Sequence, residues 1–257
     1  METMSPPAQT LLAYSQKRAS TNEVMRSLTS HRGWFAPLTL FAAGGEEPRR
    51  VDSMLILSPE AQITPGELWV FTDREAALRA QAAGALLGSY AGGMAGTELF
   101  RNVPAGTKTV RVNPGSPLEQ TWTFRDGGGI EAGRIWADAI TLEDEFGRWR
   151  QTGAPDRAAF VNYRAFLTLD HPSGVVVTLP NHSGMANPAA AFTAPDCAET
   201  FLSEVGEEQS AGLRLVTIGG GTLLENASVL GIDGLVINLF GPGATCALPF
   251  DAIGPDS

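Results

Sequence analysis

The sequence predicts an α+β (mixed α/β) protein made of two tandem, internally duplicated lobes, each a small mixed sheet flanked by helices. Three observations predict it. Residues 221–242, GTLLENASVLGIDGLVINLFGP, align without a gap with residues 96–117, GTELFRNVPAGTKTVRVNPGSP, at an offset of 125. Gly96 then pairs with Gly221, Thr97 with Thr222, Leu99 with Leu224, Gly106 with Gly231, Asn113 with Asn238 and Pro117 with Pro242. A strand end followed by a threonine and a helix start also occurs twice, at Phe71-Thr72 and at Phe192-Thr193. Finally, short apolar runs alternate with helical periodicity and tight turns, the pattern of mixed sheets with helices packed on them. A recurring unit of this kind signals duplication, and 257 residues suffice for one large core or two small ones.

The elements follow in order. Residues 1–19 are rich in proline and serine and are expected to be poorly ordered, apart from a short turn at residues 11–14. Asn22 or Thr21 caps a helix running through His31, with Val24, Met25 and Leu28 on one face. Residues 34–41 form a first strand interrupted by Pro37, which suits an edge or a bulge. Residues 54–57 form a second strand and residues 68–71 a third. Thr72 or Asp73 caps a helix from Arg74, with Glu75 in its first turn and a set of alanines to pack against a sheet. The glycine-rich residues 88–96 end that helix, and the recurring unit begins.

A strand at residues 121–124 and a triple-glycine turn precede a helix over residues 130–145, with Ile135, Trp136, Ala139, Ile140 and Leu142 mostly inward and Gly147 as its stop. Lobe 1 thus spans 20–147, a linker 148–159 and lobe 2 160–257. Lobe 2 repeats the order: 166–169 answers 37–40, 175–179 answers 54–57, and 191–199 answers 70–77. A strand at 213–218, the turn Gly219-Gly220-Gly221 and the recurring unit follow, and 246–250 closes lobe 2 as 121–124 closed lobe 1. The offsets vary (129 for Leu38 and Leu167, 121 for Phe71 and Phe192, 125 for Asn113 and Asn238), as loop insertions require.

Composition narrows the function. A net charge of −10 and a pI near 4.8 argue against a nucleic-acid partner, because phosphate binding rests on clustered Lys and Arg. Acidity suits a basic protein partner, and it also serves plain solubility. Two cysteines, Cys197 and Cys246, make no disulfide framework in a chain this long. The N-terminal residues lack the apolar core of a secretory signal, and no apolar run approaches the ~18 residues that span a bilayer. The expectation is a soluble cytoplasmic protein with no membrane partner.

The string Phe-Thr-x-x-x-x-Ala at a helix start, at Phe71-Thr72 with Ala76-Ala77 and at Phe192-Thr193 with Ala198, resembles the SseB N-terminal domain family. So does Gly-Ile-Asp-Gly-Leu-Val-Ile-Asn at 231–238, which lobe 1 keeps only as Gly106 and Asn113-Pro114-Gly115, with Thr107-Lys108-Thr109 between them. The resemblance implies two SseB-like lobes and a small non-enzymatic, protein-binding domain of the kind found near secretion and toxin–immunity systems. It implies no catalytic residue.

No motif supplies chemistry of its own. Asn113 and Asn238 end buried strands, where an Asx-turn to local backbone accounts for them better than a ligand. Gly219-Gly220-Gly221-Thr222 lies between strand and helix but lacks the spacing and the Gly-Lys-Ser/Thr of a phosphate loop. His31, His171 and His182 have no partner at metal-ligand spacing, and His182-Ser183 lacks a nucleophile elbow. No cofactor or metal is expected. Glu143, Asp144, Glu145, Glu207 and Glu208, with Trp149 as an aromatic anchor, are the candidate partner-binding residues; Trp149 and Tyr163 equally suit packing. The leading expectation is therefore a non-catalytic protein-binding domain, an immunity or adaptor protein that masks a basic toxin or secreted effector. The alternatives are an enzyme or small-ligand sensor with a site between lobes, and a self-associating component of a secretion system.

Overall fold

Two prolines at the start of a helix cost nothing, because their missing N–H groups would have no intrahelical partner. In the computed structural model Pro6 and Pro7 open α1 (Pro6–Ser15), so most of the expected disordered tail is a helix, with Ala8 and Leu11 buried. The structure describes residues 4–37, 66–82, 90–103, 106–124, 129–153 and 156–253. The strand expected at 54–57 lies outside them. Ser20, not Thr21 or Asn22, caps α2 (Thr21–Ser30): its side chain accepts from the Glu23 N–H, and Glu23 accepts from the Ser20 N–H. Val24, Met25 and Leu28 are buried as the periodicity predicts.

The chain forms two compact units, Met1–Ala137 and Asp138–Ser257. The first contains α1, α2, β1 (Arg32–Pro37), β2 (Glu67–Val70), α3 (Arg74–Ala82), β3 (Tyr90–Ala95), α4 (Gly96–Arg101), β4 (Thr109–Val112), β5 (Gln120–Thr123) and the start of α5 (Gly129–Thr152). β1 pairs antiparallel with β3, β2 parallel with β4, and β4 antiparallel with β5. An antiparallel bridge between Phe35 and Phe71, with N···O distances of 2.8 and 2.7 Å, joins β1 to β2. The resulting order is β3-β1-β2-β4-β5. Part of the glycine-rich stretch expected only to end the preceding helix is thus an edge strand.

The second unit contains α6 (Arg157–Asn162), β6 (Phe166–Asp170), β7 (Ala189–Phe192), α7 (Pro195–Val205), α8 (Glu207–Ser210), β8 (Arg214–Ile218), α9 (Gly220–Glu225), α10 (Ala227–Leu230), β9 (Gly234–Ile237), β10 (Cys246–Pro249) and a 3-10 turn at Phe250–Ile253. Its five-stranded sheet runs β8-β6-β7-β9-β10. Every neighbour has the same relative direction as its counterpart in the first unit, with β7 and β9 the parallel pair. The fold is α+β and the topology occurs twice. Residues 175–179 contribute isolated bridges, Asp170 to Val176 and Thr178 to Ala189, where a strand was expected.

The pairing also corrects the sequence alignment. The N–H of Gly96 donates to His31 O (2.6 Å) and that of Gly220 to Tyr163 O (2.8 Å), so Gly96 corresponds to Gly220 and not to Gly221. A Cβ on Gly96 would collide with the Thr29 carbonyl oxygen, and one on Gly220 with that of Phe160, which restricts both positions to glycine. The gapless offset fails because Asn226 and Gly231 are separated by one residue more than Asn102 and Gly106. In the first strands Phe35 faces Phe71 as Leu167 faces Phe192, an offset of 132 and not 129.

In the second unit the core lies on both faces of the sheet. Ala189 and Ala191 join Leu142, Phe146, Trp149, Phe160 and Leu223 on one side. Ala190 and Phe192 join Leu169, Cys197, Ala198 and Phe201 on the other, the period-2 alternation of a strand buried on both faces. α5 runs on through Gly147 to Thr152, so residues 148–152 are helix and not linker, and the division between units falls inside α5. A glycine inside a helix costs about 1 kcal/mol. Burying Phe146 and Trp149 gains about 2 kcal/mol each and outweighs it.

Candidate functional site

The most enclosed polar cluster stands where parallel β7 and β9 end. Asn238 follows β9 with φ 55°, a left-handed conformation that asparagine tolerates better than most residues. Its N–H donates to Ala191 O (2.9 Å), and its side chain then turns across to the next strand. Oδ1 accepts from the Thr193 N–H (2.9 Å), and Nδ2 donates to Thr193 Oγ1 (2.9 Å). The first unit repeats this: Asn113, φ 53°, donates its N–H to Val70 O (2.8 Å), accepts from the Thr72 N–H (2.9 Å) and donates to Thr72 Oγ1 (2.9 Å). The expected Asx-turn to neighbouring backbone is thus a long-range lock between adjacent strands. Its job is structural: it satisfies the threonine N–H beyond each strand end, and that of buried Thr193 would otherwise be orphaned.

In the first unit the Thr72 hydroxyl also reaches a carboxylate, that of its exposed neighbour Asp73, at 3.3 Å; in the second unit the carboxylate is buried and comes from α5. Glu143 of α5 accepts from Thr193 Oγ1 (2.5 Å), and Asn238 Nδ2 lies 3.4 Å from the same oxygen. The Thr193 hydroxyl has one proton, so it donates to Glu143 and accepts from Asn238. Thr193 O in turn accepts from the Tyr163 hydroxyl (2.6 Å). Asn238, Thr193 and Glu143 are 0, 1 and 7% exposed, and the following loop closes over them: a Cβ on Gly243 would stand 2.5 Å from Glu143 Oε1. A carboxylate beside a hydroxyl is a base beside a nucleophile on paper. Here both are enclosed, and the hydrogen bonds bind α5 to the sheet.

The candidate partner-binding residues separate accordingly. Glu143 does not lie on a solvated face, since the turn of α5 places it among buried Ala139, Leu142 and Phe146. Trp149 is also core and not a surface anchor, edge-on to Phe146 with ring centroids 4.9 Å apart. Asp144 is exposed, and half-buried Glu145 pairs with Arg148 on its own helix. Glu207 and Glu208 are exposed on α8. Sequence reading missed Glu199 and Glu204, which are exposed on the adjoining α7. It also missed how the charge divides. Met1–Ala137 holds 13 acidic and 13 basic residues, and Asp138–Ser257 holds 15 acidic and 5 basic, so the whole net charge of −10 belongs to the second unit. Counting by unit reveals this, once the boundary is known.

Several other polar groups are engaged elsewhere. His182 Nδ1 meets Ser183 Oγ at 2.8 Å on an exposed loop, but Asp233 spends its carboxylate on the N–H groups of Ala186 and Asn187 (2.6 and 3.0 Å). Gly220 is packed tightly against Phe160, a close-approach glycine and not a phosphate cradle. Burial pushes the His31 imidazole below its ordinary value, against a backbone hydrogen bond at Thr72 that raises it, and the ring sits edge-on to Trp34. Burial pushes the Cys246 thiol up, with Arg150 opposing. In the first unit Arg111 pairs with Glu119 and Glu67 and lies over the Trp69 ring. Burial alone would raise Glu119, but its hydrogen bonds from Arg111 and Gly115 hold it below the usual carboxylate range. Among the described residues no group of three His, Cys, Asp or Glu side chains is arranged to hold a metal ion.

Fold and lock together define a duplicated α+β scaffold. No family model matches the chain. A stretch of 70 residues, 27% of the chain, is 40% identical to UDP-N-acetylenolpyruvoylglucosamine reductase of Saccharopolyspora erythraea and spans 18% of that protein's length. Among solved structures the chain is similar to Anabaena Tic22, described as a protein of protein transport, at 12% identity over 82% of this chain and 85% of that one. The TM-score is 0.20, and a likeness that slight carries no argument. Among the described residues no helix is long and apolar enough to cross a membrane.

Proposed function

We propose that the chain is a non-catalytic protein-binding protein of the cytoplasm that engages a basic partner through its second unit. One observation carries the reading: the net charge of −10 is confined to Asp138–Ser257, where Glu199, Glu204, Glu207 and Glu208 stand exposed on α7 and α8. Acidity serving solubility alone has no reason to spare one of two duplicated units. A field of one sign on one unit speeds encounter with a basic surface and sets its orientation. The enclosed Thr193–Asn238–Glu143 network supports the non-catalytic side of the reading, since its polar atoms are engaged with one another. Cys197 and Cys246 are buried and no disulfide joins them, which suits a reducing compartment. The resemblance to the SseB N-terminal domain family points the same way, toward an immunity or adaptor role.

The test is affinity capture from the source organism with the tagged full chain, followed by titration of the recovered protein at rising salt. A basic partner is expected, whose binding weakens with salt. The double variant Glu207→Lys/Glu208→Lys should lower affinity at least about tenfold, roughly 1.4 kcal/mol. A charge reversal of equal size at Glu75 and Glu98 in the first unit should change it little. A partner that is acidic, or that is indifferent to salt and to both variants, refutes the reading.

A further inference from the structure

We infer that the free edge of β8 accepts an extended basic segment of the partner as an added strand. The inference rests on the basic-partner reading and gives it a place and a geometry. β8 closes one side of the five-stranded sheet and pairs with β6 without a register break, from Phe166–Ile218 to Asp170–Arg214. On the far side of β6, Leu169 turns its carbonyl away to accept from the Val177 N–H (2.7 Å). In an antiparallel ladder successive residues turn their backbone groups to opposite sides. Thr168 and Asp170 therefore face β8, where Val216 and Arg214 face back, and Leu215 and Thr217 point their N–H and C=O groups outward. Among the described residues no backbone group meets them.

Natural edges carry protection against such pairing, and two of the other edges here have it. β10 ends in Pro249, and β3 meets β1 with two register breaks. β8, sequence RLVTI, has none of these, and only Arg214 supplies a charge. It is regular, and Leu215 (43% exposed) and Val216 (38%) leave apolar surface open on its two faces. An edge of this kind is a template for a further strand.

Charge decides the occupant. A second copy would bring another unit of net charge −10 alongside, and such repulsion reaches about 10 Å at 0.1 M salt. A Lys- or Arg-bearing strand instead meets Glu207 and Glu208, exposed on α8 just before β8 begins. Five residues at about 3.3 Å each give a strand contact of roughly 17 Å, enough for a handful of main-chain hydrogen bonds and two apolar contacts.

The probe is a ten-residue peptide alternating Lys and Val, titrated into the full chain, with the Glu/Val peptide as control. The Lys/Val peptide should bind and slow amide hydrogen exchange at Leu215 and Thr217. Leu215→Pro removes an outward N–H and no ladder bond, so it is tolerated at an edge, and it should weaken binding at least about tenfold. Thermal melting checks that this variant folds; if it does not, exchange in the unmodified chain still decides. Salt-sensitive binding of the Lys/Val peptide that ignores Leu215→Pro and leaves both amides unprotected overturns the edge and spares the basic-partner reading. Failure of that peptide to bind overturns both. Self-association that protects these amides and vanishes with Leu215→Pro assigns the edge to a second copy and also overturns the inference.

Discussion

Replacing Asn238 with alanine separates a structural lock from a ligand-presenting amide. The substitution removes the acceptor of the Thr193 N–H, and Thr193 is only 1% exposed, so water does not replace it. A buried donor left without a partner costs about 1–3 kcal/mol. Alanine at φ 55° adds about 1 kcal/mol. Glu143 keeps its bond from the Thr193 hydroxyl and loses only the long contact with Nδ2. The expected loss is about 3 kcal/mol, a large share of the ~5–15 kcal/mol that holds a domain folded. Asn113→Ala is its control. Thr72 is only half-buried, water can reach its N–H, and the expected loss is nearer 1–2 kcal/mol. Urea unfolding followed by far-UV circular dichroism gives both values, and hydrogen exchange at Thr193 and Thr72 assigns each loss to its unit. A cost below about 1 kcal/mol for Asn238→Ala, or a larger cost at Asn113, refutes the account of the lock.

Gly243→Ala should destabilise the second unit by roughly 1–3 kcal/mol, since the new methyl must displace the Glu143 carboxylate from the lock; a urea midpoint equal to that of the parent chain would sink this. Burial lowers His31 from its ordinary value of 6.5, so the unfolded chain takes up that proton first as pH falls. Stability should therefore be full above about pH 7 and decline as pH drops through 6.5 toward the folded value. His31→Gln should flatten that decline in chemical-denaturation midpoints taken across the range, and an unchanged slope counts against it.

What the sequence disclosed depended on the range of the interaction. Capping and alternation are local, so α2, α3, β6 and β9 were legible within a few residues. α1 was not, because Pro6-Pro7 resembles a disordered tail until both are placed in a helical first turn. The reach of α5 past Gly147 was hidden for the opposite reason: a local stop signal was outweighed by burial of Phe146 and Trp149 in a core assembled from distant strands. Both halves of the lock, the Phe-Thr and the terminal Asn, stood out as repeated residues. What linked them was the parallel pairing of β7 with β9 across 45 residues, and no window of sequence contains that. Glu143, Asp144 and Glu145 form one acidic run in the sequence, but helical rotation turns Glu143 inward and leaves Asp144 exposed.

Two copies of one scaffold allow a subtraction that a single domain does not. Whatever the units share is accounted for by folding: the strand order, the Thr–Asn lock, and the glycine that lets a helix start lie against the helix preceding the first strand. What remains differs in kind. The second unit has the entire net charge, a buried carboxylate that α5 brings to its lock, and an edge strand without the breaks that guard β3. Glu143 lies inside, hydrogen-bonded to Thr193 where β7 and β9 end. Charge on α8 and open backbone on β8 are neighbours in the chain, and both would be costs if nothing bound them: like charges repel, and open edges aggregate. Charge and open backbone side by side on one unit are the two features that the proposed basic partner would engage.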